Sequence, residues 1–348
     1  MTTPAASVPR LTISPTGDHR TGILFANLGT PDGTDYRSMR RFLAEFLSDR
    51  RVVDVPAWKW QPILQTVVLT RRPFASGKVY RSIWNEEADE SPMLTITRAQ
   101  LEALRASAAQ RFGDDVTVDL CTRYGNPSTA EVLGRMVEAG CTRILFVPLY
   151  PQYANPTWVT ANDEFYRCLT RLRHQPATRV AEPYYGHPGY IAALAASVER
   201  TYASLNHTPD VLVASYHGMP ERWRHEGDPY HAQCLETSRL LAERLGWRPD
   251  RIHTTFQSVF GREEWLRPYT IEHVAELGRQ RRSVAVISPA FAADCVETLE
   301  EIDKLIRSAY VDAGGTGFSY VPCLNDDPAH IELLLDVAQD NLQGWQPA

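Results

Sequence analysis

The chain has 348 residues, a formal net charge of −6 and 43% hydrophobic residues, enough for one large domain or two with real cores. The acidic balance excludes the basic footprint of a nucleic-acid binder, and no apolar run approaches the ~18 residues of a membrane span. The six cysteines, at 121, 141, 168, 234, 295 and 323, form no CxxC pair, which argues against a zinc knuckle or clustered iron–sulfur site and for a reducing, cytosolic setting.

Residues 1–20 lack the apolar core of a secretory leader and read as a flexible leader. Thr21–Asn27 reads as the first strand, and Leu28–Gly33 as a turn at its carboxyl end. Glycine permits close backbone approach there, and exposed N–H groups could face an anion. The turn is neither GxGxxG nor a P-loop, so a nucleotide signature is absent. Tyr36–Leu47 reads as a helix, with Arg40, Arg41, Arg50 and Arg51 making the region basic, either as a solvated face or to bind carboxylates. Asp54–Trp84 is aromatic and basic and reads as too irregular for one clean helix. It could be a lid over an apolar ligand, or an edge that docks on a membrane surface or a partner chain.

Thr97 and Gln100 have capping-box spacing ahead of a helix with Leu101, Leu104, Ala108 and Phe112 inward. Val116–Cys121 is the next strand, ending in Arg123-Tyr124-Gly125-Asn126-Pro127. Ser128 and Glu131 then cap a helix expected to turn Val132, Met136 and Ala139 inward. Ile144–Tyr150 is a buried strand whose exit, residues 151–158, is aromatic, and Phe165, Leu169 and Leu172 mark a helix. A hinge is expected near 175–186, followed by a helix with Tyr190, Leu194, Val198 and Tyr202 at helical spacing. Strands are then expected over 211–216, 254–258, 284–288 and near 318–321, with helices using Cys234, Leu241 and Leu245, and closing over Pro328–Leu342. This alternation predicts an α/β fold of two similar Rossmann-like domains, each a parallel sheet flanked by helices, with strand-end loops lining a cleft between them.

Two strand ends carry the chemistry. Val211–Ala214 runs into Ser215-Tyr216-His217, and Gly218 and Pro220 stop the strand. His217 therefore sits at the carboxyl end of a buried parallel strand, where open α/β sheets bind ligands. It reads as a base or metal ligand, or as a strand-end imidazole bonded to a nearby carbonyl. The second stretch, Pro289–Asp303, follows the strand at 284–288. Asp294 and Glu297 have N-cap and N3 spacing, so Glu297 reads as a helix-capping carboxylate or as a functional one. Glu297 and Glu301, four apart, share a helical face. An imidazole and a carboxylate on one rim suit a loosely held divalent metal or proton abstraction. Tyr124, Tyr153, Trp158, Phe256, Trp265 and Phe291, in or near strand-end loops, imply a large flat apolar ligand or ordinary core packing. His187, His225 and His231 read as structural or surface groups.

From about Gly22 to about Trp345 the sequence resembles the ferrochelatases of haem synthesis, in the bacterial branch. The resemblance rests on Asn27–Pro31, Phe46–Pro56, Arg123–Pro127, Pro148–Tyr153, Ser215–Pro220, Gly227–Tyr230, Gln257–Ser258 with Trp265–Leu266, Asp294–Glu301, Val321–Asp326 and Leu342–Trp345. It implies insertion of Fe²⁺ into protoporphyrin IX with release of two protons. The alternatives are a coproporphyrin enzyme, a cobalt or nickel chelatase, or a non-catalytic haem binder. By resemblance, His217 and Glu297 are the catalytic and metal-binding pair, and Glu301 belongs to a proton relay. Arg123, Tyr124 and Trp265 are substrate-binding by the same resemblance, and Tyr153 and Phe291 are expected to join them from their strand-end loops.

The resemblance also implies a chelatase-type domain over 21–180 with porphyrin-pocket and lid elements. A second domain over 181–320 carries the metal site, and 321–348 packs back on the first. No organic cofactor is expected, and ferrous iron is itself a substrate. Cys323 stands alone near the end, so no [2Fe–2S] cluster is expected. A cytoplasmic monomer, with contact at the periphery of the inner membrane through 54–84, completes the expectation. Cys295 stands where some family members have histidine, and residues 154–158 depart from the family's Ser/Thr-rich version.

Overall fold

The computed structural model describes residues 20–113, 115–261 and 263–345. Apart from Arg20, the leader expected over 1–20 lies outside the described residues. Two parallel four-stranded sheets carry the fold. The first holds β1 (Arg20–Asn27), β2 (Val116–Thr122), β3 (Cys141–Pro148) and β4 (Ala177–Val180) in the order β2-β1-β3-β4. The second holds β5 (Val211–His217), β6 (Ile252–Gln257), β7 (Val284–Ile287) and β8 (Phe318–Val321) in the order β6-β5-β7-β8. The same strand order twice is the doubled α/β architecture that the alternation predicts. Central strands of such sheets are covered on both faces. Accordingly Ile23, Leu24 and Phe25 of β1 and Val211 to Ala214 of β5 are sealed from solvent.

The helices of the first half are α1 (Tyr36–Ser48), α2 (Ala57–Ile63), α3 (Leu69–Arg81), α4 (Pro92–Phe112), α5 (Thr129–Glu138) and α6 (Thr160–Leu169). Those of the second half are α7 (Pro188–Ala203), α8 (Glu221–His225), α9 (Tyr230–Arg244), α10 (Thr270–Arg279), α11 (Arg307–Asp312) and α12 (Pro328–Asn341). π-helical turns join α2 to α3 over Leu64–Val68, lead into α6 over Asn155–Val159, and run over Val296–Ile306 before α11. One apolar core spans both halves, joining Ile23 and Phe25 to Leu212 and Ala214 and to Leu333 and Leu334 of α12. Arg111 of α4 meets Glu332 and Asp336 of α12 at 2.5 Å each. Arg143 of β3 and Arg179 of β4 bind the backbone carbonyls of Trp345, Asn341 and Gln343.

Several local expectations are corrected. The segment over 54–84 is not one clean helix, as expected, but it is helical for most of its length as α2, a π turn and α3. Pro62 and Pro73 lie inside α2 and α3 and obscure the periodicity, and the π turn shifts the phase between them. Thr97 and Gln100 do not start a helix. α4 begins a turn and a half earlier, where the Ser91 hydroxyl accepts from Leu94 N and Pro92 occupies the first turn. Gln100 is instead buried in mid-helix and donates to the carbonyls of Ala292 and Asn325, tying the first half to the second. Ala139 is exposed at the end of α5, which the Ser128 hydroxyl does cap. The stretch expected as a hinge contributes β4, a strand too short to show a pattern.

Candidate functional site

In this topology the carboxyl ends of β1, β5 and β7 lie at switch points of the strand order, where crevices form. The loop after β1 turns sharply at Gly29, whose φ is +98°; a Cβ there would sit 1.8 Å from the Tyr124 carbonyl oxygen. A cavity of about 320 Å³ opens beside it. One wall is Leu28 to Thr30, a second is Phe42, Leu43 and Phe46 of α1, and a third is the inner face of α3. The floor is Met93 at the start of α4, with Cys295, Val296 and Glu297 closing the cavity from the second half. Among the described residues Glu297 is the one carboxylate in an otherwise mainly apolar lining.

Glu297 is not a helix cap. The cap is Cys295, whose sulfur accepts from the N3 backbone while the Thr298 hydroxyl accepts from Cys295 N at 2.9 Å. Glu297 is thereby released to face the cavity. Burial, and then the Glu297 charge, push the Cys295 thiol well above its ordinary value. Burial and the same charge do likewise for the Tyr80 phenol across the cavity. Both stay protonated near neutrality.

His217 ends β5, half-buried. Its Nδ1 lies 2.7 Å from the Gly218 carbonyl oxygen. A carbonyl only accepts, so Nδ1 carries the proton and Nε2 presents a lone pair. The carbonyl-bonded reading is the one observed, and that bond leaves Nε2 as the ring atom not engaged with Gly218. Gln257, opposite His217 in the β5–β6 register, connects the two stretches. Its carbonyl accepts from Gly218 N at 2.7 Å, and its Nε2 donates to the Glu297 carbonyl at 2.8 Å and to Glu301 at 3.2 Å. Glu301 also accepts from Ser258 N at 2.7 Å and from the Ser258 hydroxyl. Gln257 thus links the backbone after His217 to the Glu297 backbone and to the Glu301 carboxylate at the carboxyl end of the second sheet, although His217 is not part of the cavity lining.

The other expected site residues are more dispersed. Arg123 is held by Asp49 at 2.5 Å and by the Thr160 hydroxyl and carbonyl, and its guanidinium lies 4.3 Å from the centroid of the Tyr124 ring. Tyr124 is fully buried and donates to the same Asp49 at 2.8 Å. Tyr153 lines a second, polar cavity of about 320 Å³ with Arg50, Arg51, Asp54 and Asp228. Trp265 packs against Phe260, and its indole N–H has no partner among the described residues. Phe291 packs with Met93 and Cys295. None of Tyr124, Tyr153, Trp158, Phe256, Trp265 and Phe291 lines the cavity that holds Glu297.

The cavity residues that sequence reading did not single out lie on α3 and just after it, in the segment expected as a possible lid. Arg72, Ser76, Val79, Tyr80 and Ile83 all face the cavity. The signal was available as i, i+4, i+7, i+8 and i+11 spacing, interrupted only by Pro73. Arg72 has no hydrogen-bond or ion-pair partner among the described residues, which leaves a free cation at the rim of an apolar pocket.

The ferrochelatase family profile matches residues 20–342. A ferrochelatase of Rhodobacter capsulatus is 64% identical, over 94% of this chain and 93% of that protein. One from Mesorhizobium japonicum is 50% identical, over 95% and 94%. Among solved structures, SirB from Bacillus subtilis with Fe³⁺ superposes with a TM-score of 0.56 at 13% identity, covering 92% of this chain and 95% of that one. The cobalt complex of the sirohydrochlorin chelatase SirB from Bacillus subtilis subspecies spizizenii gives 0.53 at 10%, covering 94% and 99%. At such identities these two likenesses establish the fold alone. The match over nearly the whole length, at the identity of the Rhodobacter protein, establishes more: the chain belongs to the ferrochelatase family.

Proposed function

We propose that the protein inserts Fe²⁺ into protoporphyrin IX, giving protohaem and two protons. The observation that carries this reading is an apolar cavity with a single carboxylate, that of Glu297, whose backbone carbonyl is tied through Gln257 to the strand end bearing His217, in a chain of this family. A free porphyrin holds two N–H protons in its ring plane, and metal cannot enter until a pyrrole tilts and those protons leave. Apolar walls can hold a distorted ring, using binding energy from the rest of the macrocycle. Nε2 of His217 takes a pyrrole proton or holds the incoming metal, and Glu297 is its carboxylate partner. Few protein ligands leave open positions on the iron, which a metal in transit needs. Glu301, gripped by Ser258 and Gln257, passes protons outward. Arg72 is the free cation best placed for a substrate carboxylate; Arg123, already paired, acts with Tyr124 by shaping the wall behind Phe46.

The test is an anaerobic assay of the purified protein with Fe²⁺ or Zn²⁺, reading the porphyrin visible spectrum, with protoporphyrin and coproporphyrin side by side. Conversion of protoporphyrin to its metal complex at the higher kcat/KM is expected. No metallation of either ring overturns the reading, and preference for coproporphyrin overturns its substrate.

The chemistry requires no organic cofactor, since iron is a substrate. We read no [2Fe–2S] cluster either, because Cys323 stands alone near the end of the sequence with no clustered cysteines beside it. The six free cysteines support a reducing, cytoplasmic setting. We read the chain as a monomer of two lobes, 21–180 and 181–320, with 321–348 returning to the first; the Arg111 ion pairs to α12 support this.

Among the described residues no helix is long and apolar enough to cross a membrane. Contact with the membrane surface is supported by Trp58, Ile63, Val67 and Phe74, exposed along α2, the π turn and α3 beside Lys59, Arg71 and Lys78. An apolar strip with cationic neighbours suits an anionic bilayer. The protein should float with anionic liposomes at low salt; no binding under that condition rejects the contact.

A further inference from the structure

Asp294 is nine-tenths buried, and no cation pairs with it among the described residues. Neutral donors surround it instead. The Tyr320 hydroxyl donates to it, as do Cys323 N at 3.3 Å and Asn325 Nδ2 at 2.7 Å. The Thr298 hydroxyl lies 3.2 Å away. A carboxylate buried this way costs stability unless every lone pair is occupied, and here four donors converge on it.

The bond pattern shows what the arrangement holds in place. Asn325 grips Asp294 twice, accepting from its backbone N at 2.8 Å while donating to its carboxylate. Asn325 is itself held in a left-handed conformation, φ +48°, with its carbonyl taking Gln100 Nε2 at 2.9 Å and His330 Nδ1 at 2.6 Å. On the other side of Asp294, the Thr298 hydroxyl accepts from Cys295 N, the first N–H of the turn that carries Glu297. A continuous set of hydrogen bonds thus runs from α4 and α12, through Asn325 and Asp294, to Thr298 and the start of the Glu297 helix. Asp294 does not line the cavity.

We propose that Asp294, with Asn325 and Thr298, is a positioning group for Glu297. It fixes the rotation and depth of the first turn of the helix so that the carboxylate enters the cavity at one depth. The proposal rests on the proposed metallation reaction. Its signature is a loss of turnover without loss of ring binding, because the apolar walls come from other elements. Misplacing a reacting group by about 1 Å costs up to ~10²-fold in rate.

The full-length protein is assayed as Thr298→Val, which removes the hydroxyl at nearly constant volume, and as Thr298→Ser, which restores it. Asn325→Ala is the second probe. Leu334→Ala, in the core face of α12, is the control matched for thermal stability. Thr298→Val and Asn325→Ala are each expected to lower kcat about tenfold with porphyrin KM within about twofold, while Thr298→Ser stays near wild type. Leu334→Ala should lose a comparable amount of stability and little kcat. If Thr298→Val and Asn325→Ala lose no more kcat than Leu334→Ala, or if kcat and KM move together, positioning is overturned and the network is only structural. If wild type fails to metallate any porphyrin, it is the functional reading that falls. If Asn325→Ala does not fold, the Thr298 pair alone decides.

Discussion

His217→Ala is expected to lower turnover by about 10² to 10⁴-fold, the usual range for removing a positioned proton acceptor, while porphyrin affinity changes by no more than about threefold. The asymmetry follows from the geometry. The imidazole's one internal bond is local, from Nδ1 to the Gly218 carbonyl, so its loss leaves no distant group unpaired. The apolar walls that would hold the ring come from α1, α3 and the start of α4, and His217 is not among the lining residues. Porphyrin fluorescence quenching gives the affinity, and the visible spectrum gives the rate. Equal turnover in the two proteins removes His217 from the chemistry. A variant that loses affinity and turnover in proportion makes the residue a wall of the pocket rather than a base or ligand.

The largest stability effect is expected at Asp49. This carboxylate closes α1 and takes Arg123 at 2.5 Å, the Tyr124 hydroxyl at 2.8 Å, the Thr160 hydroxyl and Arg51 N at 2.7 Å. Asp49→Asn keeps the volume but removes the nearer counter-charge of the largely buried Arg123 guanidinium, leaving only Glu164 at 3.9 Å. Removing one partner of such a pair costs roughly 3–5 kcal/mol, to be read as a lower urea midpoint at pH 7. Burial pushes the Asp49 carboxyl up, but the bonds from Thr160, Arg51 N and Tyr124 and the charge of Arg123 together hold it below its ordinary value. A carboxyl depressed in the folded state gives stability that is full above its unfolded value, ~3.9, and is lost as pH falls through the folded value. The gap between wild type and Asp49→Asn should therefore be constant from pH 7 down to about 5 and narrow below about 4. A difference under about 1 kcal/mol at pH 7 would show that the cluster is solvated, as exposed pairs are. Phe46, edge-on to Tyr124 at 5.1 Å, should shift with the cluster and weaken porphyrin binding as well.

How legible the site was depended on where its residues sit in the chain. His217 could be read because a continuous β-branched run stopped by Gly218 and Pro220 has one sensible structure, and such a strand's carboxyl end is a known place for ligands. Glu297 could be read from its position as either a cap or a functional carboxylate, and only the resemblance favoured the second. Its spacing from Asp294 looks like a cap, and nothing local says that Cys295 and Thr298 take over that duty. The same blindness hid Gln100: a polar residue at capping distance from Thr97 is locally indistinguishable from a buried one whose partners lie 192 and 225 positions away. The α3 wall was obscured because proline at 62 and 73 reads as a break, whereas its ring is tolerated beside a π turn. Arg123 and Tyr124 were found as a pair, but not the Asp49 carboxylate that engages them both, because that partner is 74 residues away.

The cavity's oily surfaces come almost wholly from residues 28–93, and its acid arrives from residue 297. On the proposed roles, substitutions that retune which macrocycle fits and those that retune which ion is accepted fall in separate stretches of the gene. A lineage could exchange one preference while keeping the other, so chimaeras joined between these stretches are a natural route to new pigment–metal combinations.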